Sequence, residues 1–289
     1  MRLTKSILYN HYGAGDVFES REFAREYIKV FNTEDNYYAH GKSPYILNDM
    51  KDLRFTDVTP RMHHRSAWML SDNTMYVNMW LGRDGQYVLP QIGVVVEEHF
   101  RMHNDILKDL GVGPLSKGPY AYIPNIDYSA YETDNIDKFL LEVAGKRLIL
   151  ISNGPVQSNQ AKNFDFTPTI KLLCKTFPEY VFILTQNADL RAENLFYTGE
   201  IINITTGVDL NEISYLSTFC DVCIGRNSGP HVFAQVLDNW MDKNKISLSF
   251  TYAKRASHFV LSDSLPMKKE WSDAEDTREV FKKICEVIE

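Results

Sequence analysis

The stretch Glu200–Leu237, EIINITTGVDLNEISYLSTFCDVCIGRNSGPHVFAQVL, decides how this chain reads. Glu200–Thr205 is an apolar run that predicts a strand. Leu210–Thr218 carries its apolar residues at helical spacing, and Cys220–Gly225 is a second apolar run too short to be a helix. The turn Gly225-Arg226-Asn227-Ser228-Gly229-Pro230 then opens a helix over Pro230–Leu237, with proline where its missing N–H costs nothing and Asn227 or Ser228 able to cap it. Strand, helix, strand, helix is the rhythm of βαβ units on a parallel sheet.

The same rhythm extends outward. Upstream lie a helix (Ile136–Ala144), a strand (Arg147–Ser152, RLILIS), a polar loop (Asn153–Phe166), a helix from Pro168 to Phe177 and a strand (Tyr180–Thr185). Downstream, Ile246–Phe250 is expected to close the sheet and Asp273–Ile288 to form a terminal helix. The N-terminal half repeats the theme more loosely. A strand Ser6–Asn10 runs through Gly13-Ala14-Gly15-Asp16 into a helix ending at Phe31. Short strands at Tyr37–His40 and Leu53–Val58 flank a helix at Tyr45–Met50. A hairpin turns around Ser71-Asp72-Asn73, and a long amphipathic helix, Gln91–Leu110, stops at Gly111 and Gly113. Leu115–Glu132, rich in Pro, Gly and Tyr, reads as the connection between halves. The expectation is an α/β chain of two Rossmann-like domains, residues 1–130 and 131–289, facing each other across a cleft at the carboxyl ends of their strands, where open α/β sheets bind ligands.

Composition narrows the function. Of 289 residues, 44% are hydrophobic and 24% charged, as in ordinary globular domains. A net charge of −7 argues against a general nucleic-acid binder, which needs a basic face. No run of about 18 apolar residues suits a membrane span, and the N-terminus does not read as a signal peptide. Four cysteines are too few for a disulfide scaffold, so a cytoplasmic chain is expected, with peripheral association at a membrane compatible with it. Cys220 and Cys223 read as structural, on opposite faces of one strand.

The candidate chemistry sits on loops. The turn at 225–230 reads either as a phosphate cradle at a helix start or as a bare strand-to-helix turn, and the residues alone leave both open. The loop from Asn153 and Gly154 to Phe166 is fourteen residues long, against 2–6 for an ordinary βα connection, and Lys162 is its only cation. Gln186 and Asn187 lead a third loop at the same edge. Asp16 reads as a helix cap or as a general base. Gly13-Ala14-Gly15 is not a dinucleotide fingerprint, because Phe18 stands at the third glycine position. No GxxxxGK[ST], HExxH, GxSxG or Asp-x-Asp occurs. His99 and His103 read as a solvated helix face rather than a metal pair.

Taken together, these segments resemble the lipopolysaccharide heptosyltransferases and their relatives in glycosyltransferase family nine, which have the two-Rossmann GT-B fold. Gly15-Asp16 with Ser20–Phe23 resembles the family's opening "GD" and helix. Gln160-Ala161-Lys162-Asn163-Phe164 is similar to its lysine loop. Ile204–Leu237 is similar to its C-terminal signature, where the family's acid stands as Asn227 and its histidine as Val232, with His231 one place earlier. The resemblance implies a metal-independent, inverting glycosyltransferase that uses no cofactor. Its partners are a nucleotide-sugar donor and a glycan or glycolipid acceptor. By that resemblance Asp16 is the general base, and Lys162, Asn227, Ser228 and Gly229 hold the donor. Asn153, Gly154, Gln160, Gln186, Asn187, Arg226, Pro230 and His231 complete the expected donor site, with Gly15 and Arg21 on the acceptor side. Asn227 in place of an acid implies a donor other than ADP-heptose. The rival readings are a sugar-nucleotide 2-epimerase and a nucleotide-sugar-binding module without turnover.

Overall fold

The computed structural model describes the chain apart from residues 1–2, 11, 58–66, 71, 84–93, 158–160, 205–207, 228 and 254–264. The chain divides into two units, Met1–Asp127 and Tyr128–Glu289.

In the second unit, β6 (Arg147–Ser152), β7 (Tyr180–Leu184), β8 (Leu195–Tyr197), β9 (Val222–Arg226), β10 (Ile246–Phe250) and β11 (Lys268–Ser272) form one sheet, ordered β11-β10-β9-β6-β7-β8. All its neighbours are parallel. Continuous apolar runs are what a parallel sheet covered on both faces demands. Alternate residues part to opposite sides. Ile149, Ile151, Phe182, Leu184, Val222, Ile224, Leu248 and Phe250 pack under α5 (Thr167–Thr176) and the C-terminal helix Thr277–Ile288. Leu148, Leu150, Val181, Ile183 and Cys223 pack under α4 (Asp134–Glu142) and α7 (Leu210–Ser217).

Four details differ from the sequence reading. Residues 200–201 end a short helix, α6 (Thr198–Ile201), and the strand precedes it as β8. β10 does not close the sheet, because β11 pairs outside it; KKEWS is too polar to announce an edge strand. The helix expected over Pro230–Leu237 is two single turns, α8 (Pro230–Phe233) and α9 (Leu237–Trp240), and its N-cap is Gly229 at φ 49°, a conformation that glycine tolerates best. Cys220 lies before β9, so both thiols enter the same core cluster instead of opposite faces.

In the first unit the sheet order is β3-β2-β1-β5-β4, with β1 (Lys5–Tyr9), β2 (Asp35–Ala39), β3 (Arg54–Thr56) and β5 (Thr74–Asn78) parallel. β4 (Ala67–Met69) pairs antiparallel with β5, which is the expected hairpin. α1 (Ala14–Glu19) and α2 (Arg21–Phe31) follow β1 at once, and α3 (Val95–Asp109) is the long amphipathic helix. Residues 44–47, read as helix, form a 3-10 turn. His99 and His103 are not solvated. Both are buried and stacked on Phe23, and the Tyr27 hydroxyl meets His103 Nδ1 at 3.1 Å.

Candidate functional site

Each sheet has one point where chain order reverses, and that is where open α/β sheets leave a crevice at the strand ends. In the second unit the chain runs outward one way through β6, β7 and β8, and the other way through β9, β10 and β11. The reversal therefore lies between β6 and β9, with Ser152 opposite Gly225.

Three stretches of the expected donor site gather at this edge. Asn153 and Gln186 bracket the ends of β6 and β7. The Asn153 side chain donates to the Gln186 carbonyl and accepts from the Gln186 N–H, each at 2.9 Å. A Cβ at Gly154 would lie 2.7 Å from the Gln186 amide. Asn187 folds the next loop by accepting the Asp189 N–H at 2.8 Å. Lys162 is exposed and ion-paired with Glu275 at 2.6 Å, which raises its pKa. Such a surface pair is screened by water and yields readily to another anion. Pro230 occupies the first turn of α8 as expected. Gln160 and Ser228 lie outside the described residues.

Polar atoms without partners among the described residues cluster here. Asn227 is 3% exposed and its Nδ2 is unpaired; Ser152 Oγ, Thr185 Oγ1 and His231 Nδ1 are unpaired too. Buried polar atoms normally have partners. Ser152 and His231 both crowd Gly225, where an added Cβ would lie 2.7 Å and 2.8 Å from their Cβ atoms.

Two of the expected donor contacts are engaged within the protein. Arg226 is 2% exposed. Its guanidinium donates to the carbonyls of Lys162 (3.0 Å), Asn153 (3.1 Å), Gly154 (2.8 Å) and Phe164, and lies over the Phe164 and Phe166 rings. It clamps the 153–166 loop rather than facing a phosphate, and burial lowers its pKa to about 10. His231 is buried beneath the edge, with Nε2 2.9 Å from Ser249 Oγ, and burial lowers its pKa to about 4. Sequence spacing marks both positions but not which way the side chains turn.

In the first unit the reversal lies between β1 and β5. Asp16 stands there in the first turn of α1. Its Oδ2 accepts the Gly13 N–H at 3.2 Å, and the Trp80 side chain, just past β5, hydrogen-bonds the same carboxylate. The cap and the carboxylate at the crevice are thus one residue. Desolvation raises the Asp16 pKa above its ordinary value. Gly15 sits beside it in the same turn.

Sequence reasoning missed Asp16's neighbours. Glu19, one turn along α1, is raised well above the usual range by burial and by the Asp16 charge. Lys42, following β2, acts on Asp16 from another element. The i, i+3 spacing of Asp16 and Glu19 was visible; the strand register that brings Trp80 to them was not. Arg21, expected on the acceptor side, is turned inward. It is wholly buried and paired with Asp49, whose other oxygen accepts Arg25 at 3.0 Å and the Asp127 N–H at 3.3 Å.

No protein-family model matches the chain, and no curated protein matches it. Solved structures do. A glycosyl transferase of family 9 from Veillonella parvula matches with a TM-score of 0.53 and 12% identity, over 100% of this chain and 92% of that one. The fold is GT-B, and it is heptosyltransferase-like. The Escherichia coli heptosyltransferase WaaC with ADP matches with a TM-score of 0.54 and 9% identity, over 98% and 99%. The Staphylococcus aureus MnaA–UDP structure matches at 0.51 and 9%, over 99% and 88%. At these identities the likeness concerns the fold. No described helix is long and apolar enough to cross a membrane.

Proposed function

We propose that this chain is a glycosyltransferase that moves a sugar from a nucleotide-sugar donor to a glycan hydroxyl. The donor site is assigned to the β6/β9 edge and the base to Asp16. One observation carries the reading: Ser152 and Asn227, at adjacent strand ends where chain order reverses, keep buried polar atoms without partners among the described residues. A bound polar ligand would supply those partners. The fold is shared with structures holding ADP and UDP, which supports a nucleotide as the ligand.

The mechanism follows from charge. As the glycosidic bond breaks, negative charge builds on the departing phosphate and must be stabilised. Lys162 can turn from Glu275 to that phosphate. Backbone N–H groups around Gly229 add to it; the single turn of α8 contributes little dipole. Asp16 takes the proton of the acceptor hydroxyl, and its raised pKa makes it a better proton acceptor than an exposed aspartate. The reaction is a single displacement with inversion, needing no metal and no cofactor. The acceptor is a glycan or glycolipid, and the work is cytoplasmic or at a membrane surface. The first unit serves the acceptor and the second the donor.

The test is Asp16→Asn. It should bind nucleotide sugar like the wild type and lose at least about 10²-fold in turnover, the usual worth of a general base. Transfer at wild-type rate in Asp16→Asn would overturn the assignment. Release of free nucleoside diphosphate and a C2-epimerised sugar, without any acceptor, would assign the epimerase reading instead.

A further inference from the structure

The β1 and β5 strand ends are built alike. Asn10 follows β1 and accepts the Tyr12 N–H at 3.1 Å; Asn78 ends β5 and accepts the Trp80 N–H at 3.1 Å. β1 and β5 are hydrogen-bonded neighbours, with Tyr9 opposite Asn78. Two matching turns on adjacent parallel strands therefore set Tyr12 and Trp80 side by side. Their rings stack with centroids 3.6 Å apart and planes 12° from parallel. Gly82 backs the indole so closely that a Cβ there would lie 2.6 Å from it. Asn78 is wholly buried, and its Nδ2 has no partner among the described residues.

The result is a flat aromatic plate, with Tyr12 47% exposed. Apolar burial does not account for leaving the outer ring in water, and the pair sits at the reversal point, where a sheet of this kind offers its crevice. The plate also touches the carboxylate: Trp80 hydrogen-bonds Asp16. An aromatic face carries partial negative charge, and the C–H bonds on the apolar side of a pyranose present partial positive charge. A flat ring fixed on two strand ends loses little entropy on binding.

We propose that the Tyr12–Trp80 stack is the platform for the acceptor sugar, a pyranose laid by its C–H face on Tyr12 with a hydroxyl directed to Asp16. The role of Asp16 in this statement rests on the glycosyl-transfer reading above; the sugar platform itself does not. The occupant is a pyranose rather than a nucleobase because the carboxylate beside the plate suits hydroxyl donors.

Saturation-transfer NMR tests this with methyl α- and β-pyranosides of glucose, galactose, mannose and N-acetylglucosamine as probes. At least one should bind the wild type with saturation concentrated on one C–H face. Tyr12→Phe should retain that binding, while Tyr12→Ala weakens it about tenfold or abolishes it. Melting of each variant with UDP, ADP and GDP runs alongside as a check on folding and on the donor reading. Binding undiminished in Tyr12→Ala, or no pyranoside binding to the wild type, overturns the platform whatever the nucleotides do. Loss of nucleotide response in Tyr12→Ala with pyranoside binding intact overturns it as well, in favour of a base-stacking plate. Tyr12-dependent pyranoside binding without any nucleotide response leaves the platform standing and removes the transfer reading.

Discussion

Asp16 and Glu19 are one helical turn apart, and their environments divide the labour. Glu19 is pushed well above the ordinary range by burial and by the Asp16 charge, whereas Asp16 is raised less, so of the two Glu19 holds its proton more readily. Glu19→Gln keeps the shape of the protonated acid, and turnover should stay within about threefold of wild type. A loss as large as that of Asp16→Asn would show that Glu19 carries charge in the reaction. Trp80 acts in the opposite sense, since its bond to the carboxylate lowers the Asp16 pKa. Removing that bond in Trp80→Phe raises the pKa. The base must be ionised to work, so the acidic limb of kcat/KM moves to higher pH. An unmoved limb in a pH–rate profile would exclude the contact. At this scale the sequence showed Asp16 and its two possible roles. It did not show Trp80, which is 64 residues away and is brought near by parallel pairing of β1 with β5.

The loop after β6 shows how an element can be held by one side chain. Arg226 ends β9 and spends its donors on four carbonyls of the 153–166 loop. Lysine can place one ammonium but not a planar fork. Arg226→Lys should cost about 2–4 kcal/mol in urea unfolding and release the loop to faster hydrogen exchange. A variant as stable as wild type, with normal exchange, would return Arg226 to the role of a ligand contact. His231 gives the element a pH dependence. Its folded pKa is about 4, against an ordinary 6.5. Between those values the unfolded chain binds more protons than the folded one, so stability falls as pH drops through this window. His231→Gln should flatten the stability–pH curve there, as measured by denaturant melts at stepped pH. The sequence made the elements of this unit readable because their runs are buried and apolar on both faces. It hid β11, whose residues are polar, and it spread the turn at 230 into one long helix because periodicity does not report a break at 234–236.

At the scale of the whole molecule, each unit carries one chain-order reversal, and the candidate groups stand at both: Tyr12, Asp16 and Trp80 in the first, Ser152, Asn153 and Asn227 in the second. Alternation of strands and helices made the GT-B fold legible, and the resemblance of Ile204–Leu237 pointed to the turn that the proposed function gives to the donor. Which charged residues serve ligands was not legible, because Arg21 and Arg226 look like surface cations until burial turns them into internal clamps. The central claim is that the β6/β9 edge binds a nucleotide. The measurement that tests it most directly is a thermal-shift panel of UDP, ADP, GDP and their sugars, run with and without EDTA, on wild type and Lys162→Ala. A ligand that binds only the folded chain, at about 100 times its Kd, adds about 2.7 kcal/mol and raises Tm by several degrees. The account predicts stabilisation by one nucleoside diphosphate class, unchanged by EDTA and weakened in Lys162→Ala. No shift from any nucleotide would contradict it and leave the fold without a donor site.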